Sequence, residues 1–283
     1  MRVVRNVAEM RALASERRRR GQAIGFVPTM GCLHEGHLSL VRLAGTRAPW
    51  VVVSIFVNPT QFGLGEDFEI YPRDLDRDCQ LLEAEECDLA FAPTIPEMYT
   101  EGHRTSVSVG ELSEKLCGRS RPGHFDGVTT VVLKLFNIIQ PDVAVFGEKD
   151  AQQLVIIRRM VEDLNLAVEI VGAPTVRDPD GLAVSSRNRD LSPEAREHAT
   201  CLFRALRRGE ELFKAGERQA DRMIGEMRLI VDAKPAVETD YVSVVDPVTL
   251  EDLDTIRGEA LVAIAARVGG TRLIDNVRLS IGE

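Results

Sequence analysis

This 283-residue chain has no apolar run that approaches the ~20 residues needed to span a bilayer, so no membrane partner is expected. Its opening stretch, MRVVRNVAEMRALASERRRR, lacks the roughly 7–15-residue apolar segment of a secretory signal. Cysteine is sparse and odd in number: Cys32, Cys79, Cys87, Cys117 and Cys201, with no C-x-x-C pair. A disulfide framework or a zinc site is therefore not expected, and a reducing cytoplasm is the expected compartment. Lysine is scarce, five against 30 arginines, so a lysine inside a dense motif stands out. Two nucleotide signatures are missing: no G-x-G-x-x-G follows the first apolar run, and G-x-x-x-x-G-K-[ST] is absent. Neither the usual dinucleotide fold nor a P-loop is supported. Positive charge is outweighed, giving a net −9, which argues against a nucleic-acid partner.

What is present is an ordinary globular balance, 44% hydrophobic and 28% charged. At roughly 150 residues per domain the length predicts two domains, with a single large one the alternative. Short apolar runs at 24–27, 51–57, 88–92, 143–146 and 167–171 read as strands. Helical patterns occupy 7–20, 36–48, 74–86, 127–139 and 151–164. The helix at 7–20 ends in arginines 17–20, a solvated end favoured by the helix dipole. The helix at 74–86 places Leu75, Cys79 and Leu82 on one face. The helix at 127–139 is apolar nearly all round and should be deeply buried.

Such alternation predicts βαβ units and an α/β fold, a Rossmann-like doubly wound parallel sheet over 1–174 with ligands beyond the carboxyl ends of the strands. After Pro174 the character changes. RDPDGLAVSSRNRDLSP is polar and turn-rich, helices follow at 193–215 and 218–233, and alternating segments at 239–245 and 260–268 complete the chain. A smaller α+β C-terminal lid domain over 175–283 is expected. Asp178-Pro179-Asp180-Gly181 is a strong turn signal, and 178–188 is expected to move.

The chemistry gathers after the first strand, in Pro28-Thr29-Met30-Gly31-Cys32-Leu33-His34-Glu35-Gly36-His37. A helix beginning there turns unsatisfied N–H groups and a partial positive charge toward an anion. His34 and His37, three residues apart, share a helix face and can donate to phosphate oxygens as charge develops in phosphoryl transfer. Metal ligation is the rival, but no third ligand is suggested. Cys32 reads as a packed small hydrophobe.

The H-x-G-H string His34-Glu35-Gly36-His37 resembles the nucleotidyltransferase superfamily that includes class I aminoacyl-tRNA synthetases. PTMGCLHEGH together with SIFVNPTQFG (54–63), YPRDLDRD (71–78), RPGHFDGV (121–128), FGEKDAQQL (146–154) and SSRNRDLS (185–192) resembles the pantothenate synthetase family, in order and spacing over about residues 24–195. The resemblance implies an enzyme in which ATP and pantoate form pantoyl adenylate and pyrophosphate. β-Alanine then displaces AMP to give pantothenate. It also implies a homodimer.

The implied catalytic residues are His34, His37, Lys149, Ser185, Ser186 and Arg187. Met30, Gly31, Gly147, Asp150, Val176 and Val184 join them around ATP. Pro28, Thr29, Met30, Asn58, Gln61, Tyr71, Arg121 and Gln153 are implied for pantoate and β-alanine, with Gln61 and Gln153 holding the pantoate hydroxyl and carboxylate. Asp78 matches an acidic position near a phosphate-bound magnesium. The preceding residue, often acidic in the family, is Arg77 here, so Mg²⁺ is expected to be held mainly by ATP.

The residues themselves agree. Asn58 and Gln61 are uncharged amides suited to a hydroxy acid, or else turn caps. Tyr71 closes a pocket or packs as a core aromatic. Gly147 lets a nucleotide approach the backbone, Lys149 is a cation for phosphates, and Asp150 serves a ribose or caps a helix. Ser185, Ser186 and the Arg187 fork suit pyrophosphate, or form an N-cap run, a reading that fits Ser192 better. By the resemblance, Arg121 and His124 fall in a loop near the active site. Two other readings are adenylyl transfer to a mononucleotide and a non-catalytic nucleotide sensor or RNA-binding relative. The first needs a base-recognising pocket in place of Asn58 and Gln61, and the charge and intact motifs count against the second.

Overall fold

Valine and isoleucine dominate the runs read as strands, and in the computed structural model, which describes residues 1–63 and 68–281, those runs lie side by side. The chain divides into two units. One comprises Met1–Glu114, Gly118–Glu148 and Ile156–Pro174; the other gathers Lys115–Cys117, Lys149–Val155 and the chain from Thr175.

The first unit carries strands β1 (Arg2–Val4), β2 (Ile24–Thr29), β3 (Trp50–Ile55), β4 (Leu89–Phe91), β5 (Val143–Gly147) and β6 (Glu169–Ala173). All are parallel, in the order β1-β4-β3-β2-β5-β6. With them come helices α1 (Val7–Arg19), α2 (Glu35–Arg47), α3 (Leu75–Ala84), the single turns α4 (Ile95–Met98) and α5 (Cys117–Ser120), α6 (His124–Ile139) and α7 (Ala151–Asp163), of which Cys117 of α5 and residues 151–155 of α7 count with the second unit. Residues 50–54 are all buried, as strands covered on both faces require. Helix α6 is buried along most of its length, with Phe136 edge-on to both Phe26 and Phe146.

Strand order reverses between β2 and β5, and ligands bind outside the carboxyl ends of strands at such a switch point. The two strands part early. β2 pairs with β3 from Ile24 to Thr29, but with β5 only at Gly25 and Phe26. Pro28, which has no N–H to donate, lies beyond that pairing. Past Phe26 the strand stays bonded to β3 alone, and the gap toward β5 is where a crevice is expected.

In the second unit, α8 (Pro193–Lys214) and α9 (Ala220–Val231) pack on an antiparallel sheet β7-β8-β9 (Val237–Val245, Ala260–Val268, Thr271–Leu279). Its core includes Leu202, Leu206, Met223, Met227, Val262 and Ile264. Gly269 and Gly270, both at positive φ, form the two-residue turn between β8 and β9.

Several elements differ from the sequence expectations. β1 and β9 have no counterpart among the runs read as strands, and β6 lies two residues later than 167–171. α6 starts at His124 because Gly123, at φ +78°, supplies the entry turn. In α3, Leu82 is buried as expected, but the other buried residue is a carboxylate, Asp78.

Candidate active site

The loop after β2 is built by short-range bonds. Thr29 Oγ1 donates to the Ser54 carbonyl at 2.7 Å and accepts the Gly31 N–H at 3.1 Å. Gly31 sits at φ +82°, where a Cβ would come within 2.9 Å of Asp78 Oδ2, so only glycine fits. Cys32 follows at φ +54°, buried, as a packed residue.

Asp78 is 1% exposed. Its Oδ2 accepts the Cys32 N–H at 2.8 Å and its Oδ1 the Leu33 N–H at 2.7 Å, while Arg77 donates to the Leu33 carbonyl at 3.2 Å. Burial pushes the Asp78 carboxyl up, against the two N–H bonds and Arg77. Both oxygens are engaged by the backbone. The structure thus gives Asp78 the task of shaping the 31–33 turn. Among the described residues, no group of three His, Cys, Asp or Glu side chains could hold a metal.

His34 stands at the N-cap of α2 with extended backbone, and its carbonyl accepts the His37 N–H at 2.8 Å. The turn brings the two imidazoles together, ring centroids 4.0 Å apart and stacked. The expected adjacency holds, although His34 is a cap and not a helical residue. A helix N-terminus with paired imidazoles suits an anion.

The turn after β3 is a closed knot. Asn58, 1% exposed, donates to Gln61 Oε1 at 3.1 Å and to the Gly127 carbonyl at 3.0 Å. Its Oδ1 accepts the Tyr99 hydroxyl at 2.8 Å and the Thr60 hydroxyl at 3.0 Å. Asn58 is therefore used up inside the protein, and its expected substrate contact becomes a positioning role. Gln61 differs. Among the described residues its Nε2 donates to a weak acceptor, Met30 Sδ at 3.1 Å. Met30 and Gln61, both expected at pantoate, are thus brought together.

Helix α6 locks the same turn. His124 Nδ1 lies 2.8 Å from the Gln61 carbonyl, and Arg121 Nη1 lies 3.0 Å from His124 Nε2. A Cβ on Gly127 would collide with the Thr60 carbonyl at 2.4 Å. Tyr71 is buried edge-on to Phe62, which fits the core-aromatic reading. Sequence reasoning misses Tyr99, since no motif flanks it; burial pushes its hydroxyl pKa up, keeping it a donor.

In the second unit, Lys149 lies in the 3-10 turn Glu148–Asp150. Its side chain is 19% exposed, and Nζ stands 4.0 Å from Asp150 Oδ2. Its carbonyl accepts Asn276 Nδ2 at 2.8 Å. A Cβ on the preceding Gly147, in the first unit, would meet open space, as close approach of a ligand requires. Gln153 is half-buried; its neighbour Gln152 bonds the Lys115 carbonyl and the Cys117 N–H. Gln61 and Gln153 belong to different units.

Val176 and Val184 pair through the Val184 N–H and the Val176 carbonyl at 2.9 Å, closing a hairpin turned at Gly181. Arg177 grips Asp275 at 2.6 and 2.9 Å, and Arg196 reaches Asp178 at 2.8 Å. A Cβ on Gly181 would strike Phe203 at 2.0 Å. These contacts pin the hairpin ahead of the serine turn. There Ser185 accepts the Arg187 N–H at 3.3 Å and caps Ser186–Asp190, while Ser192 caps α8. The serines are caps in both places.

A doubly wound parallel sheet with paired histidines on a helix start at its switch point defines a nucleotide-handling α/β class. The model of the pantoate–β-alanine ligase family matches residues 2–278, and the chain belongs to that family. It is 55% identical over 281 residues to the pantothenate synthetase of Heliobacterium modesticaldum, covering 99% of this chain and 100% of that one. The Moorella thermoacetica pantothenate synthetase is 53% identical over the whole of both chains. The crystal structure of pantothenate synthetase from Thermus thermophilus superposes with a TM-score of 0.93 at 48% identity, covering 98% of this chain and 99% of that one. A pantoate–β-alanine ligase from Francisella tularensis, complexed with β-γ ATP and β-alanine, superposes at 0.81 with 33% identity, covering 98% and 97%.

Proposed function

We propose that this chain condenses (R)-pantoate with β-alanine, converting ATP to AMP and pyrophosphate through a pantoyl adenylate. The observation that carries this reading is the stacked pair His34 and His37 at the start of α2, in a chain that belongs to the ligase family from end to end. The pantoate carboxylate attacks the α-phosphorus of ATP in line, the α–β bridging bond breaks, and pyrophosphate leaves. The β-alanine amine then attacks the acyl carbon, loses a proton and expels AMP.

The protein contributes positioning and electrostatics. His34, His37, Lys149, Ser185, Ser186 and Arg187 stabilise phosphate charge, with Gly31, Gly147, Asp150, Val176 and Val184 lining the nucleotide. Gln61, Met30, Pro28, Thr29, Arg121 and Gln153 serve pantoate and β-alanine, with Asn58 behind Gln61. Residues 175–283 act as the lid that keeps water from the adenylate; the separate core of this part supports the assignment. Magnesium accompanies ATP, and since no acidic cage is formed among the described residues, no step here runs through it. The reading includes a homodimer, on the family resemblance, and a cytoplasmic location, supported by five cysteines that no disulfide joins. Among the described residues, no helix is long and apolar enough to cross a membrane.

The test is AMP release with ATP, D-pantoate and a panel of amines, beside pyrophosphate–ATP exchange. Exchange that depends on pantoate and not on β-alanine is expected. Exchange that requires the amine would overturn the adenylate route.

A further inference from the structure

Strand β9 carries two kinds of residue in alternation. Leu273, Asp275, Val277 and Leu279 face the core of the second unit, whereas Arg272 and Asn276 lie on the opposite face. Asp275 interrupts the apolar row and is 3% exposed. A carboxylate in that setting is tolerated only when paired, and Arg177 pairs it with two bonds. The same guanidinium donates to the Gly181 carbonyl and lies over the Phe203 ring, 4.7 Å from its centroid. Asp275 thereby roots the hairpin whose outgoing arm runs through Val184 to Ser185.

On the other face, Asn276 Nδ2 donates to the Lys149 carbonyl at 2.8 Å. Lys149 stands in a 3-10 turn of three residues that leads directly into α7. The amide from β9 adds a restraint on its backbone from outside the helix. The two anchors are joined, since Arg177 Nη2 also reaches the Asn276 carbonyl at 3.5 Å.

We infer that Asp275 and Asn276 are positioning residues for the phosphate chemistry, one holding the hairpin that presents the serine turn and the other the backbone of Lys149. The inference rests on the roles given above to Lys149 and Ser185–Arg187. It assigns work in catalysis to a strand whose sequence carries no catalytic motif.

The experiment measures single-turnover adenylate formation in Asn276→Ala and Asn276→Ser, each alone and combined with Lys149→Ala, beside thermal melts. Small misplacements at a reacting centre cost on the order of 10²-fold. Each single variant should lose about 10–10²-fold in adenylation, melt close to wild type, and keep its KM for β-alanine. In the Lys149→Ala background the second change should add no further loss, since the group being positioned is gone. Wild-type adenylation in either single variant, or an equal further loss in the Lys149→Ala background, would overturn the inference. Wild-type protein that forms no adenylate would instead overturn the proposed function.

Discussion

Two charged residues are buried among the described residues, Asp78 in the first unit and Asp275 in the second, and they are neutralised in different ways. Asp78 meets two backbone N–H groups, from Cys32 and Leu33. Asp275 meets a full guanidinium, Arg177. Backbone dipoles carry no net charge, so Asp78 keeps much of its desolvation cost, and burial accordingly pushes its carboxyl up. The gain is geometric, since two N–H groups fixed by one carboxylate set the turn that leads into His34. An ion pair leaves less charge uncompensated but makes each partner depend on the other. One carboxylate shapes a loop, and the other ties two distant segments together.

The largest separation between them should come from removing Asp275. Asp275→Ala leaves Arg177 largely covered without its partner, and breaking such a pair costs about 3 kcal/mol. A fall in melting temperature together with slower adenylation is expected. Replacing both partners, Arg177→Met with Asp275→Leu, should restore the melt but not the adenylation rate, because apolar packing replaces the pair without holding the hairpin turn. If the double variant recovers both, the pair is a stability device alone.

A smaller loss is expected at Asp78. Asp78→Asn keeps one acceptor oxygen and sets an NH₂ against the other N–H, costing roughly 1–3 kcal/mol. The affinity for ATP should weaken as the turn before His34 loosens, which an ATP titration would read. The pH dependence has a definite sign. A carboxyl raised above its ordinary value contributes stability that is fully present below that value and lost as pH rises through the folded value. The margin of wild type over Asp78→Asn should therefore shrink as pH climbs. A margin that grew with pH would show that the two N–H groups outweigh burial.

The contrast also explains what can be read from sequence. The parallel sheet is legible because strands covered on both faces must be continuously apolar, as residues 50–54 are. The His34–His37 pair is legible because its contact is local. The turn-shaping bonds of Asp78 are not legible: the distance from Asp78 to Leu33 is 45 residues along the chain, and no periodicity reports such a bond. β1 spans three residues, too few for alternation to register. β9 escapes because Asp275 breaks its inward apolar row, the feature that gives the strand its task. Tyr99 and the knot around Asn58 are invisible for the same reason as Asp78, being assembled from residues 39 to 69 positions apart. Pairing with distant groups, which decides whether a polar side chain faces ligand or protein, is what the chain order hides.

The mildest test uses a third aspartate as a reference for the sign at Asp78. Asp246, in the connection after β7, accepts the N–H groups of Val248 and Thr249, both at 2.8 Å, in a surface turn. The Thr249 N–H, with help from that of Val248, holds its carboxyl below the ordinary value against a smaller push from burial. Here a backbone-bound carboxylate stays near water, so the hydrogen bonds win where desolvation wins at Asp78. A depressed carboxyl contributes stability present above the ordinary value and lost as pH falls through the folded value. Asp246→Asn should cost about 1 kcal/mol or less near neutrality, and the difference should vanish in acid. Urea unfolding of wild type, Asp78→Asn and Asp246→Asn across one pH series places the two margins on the same axis, where they should slope in opposite directions. Parallel slopes would mean that burial does not set the behaviour of Asp78, and the distinction between a carboxylate that shapes a buried loop and one that caps a solvated turn would fail.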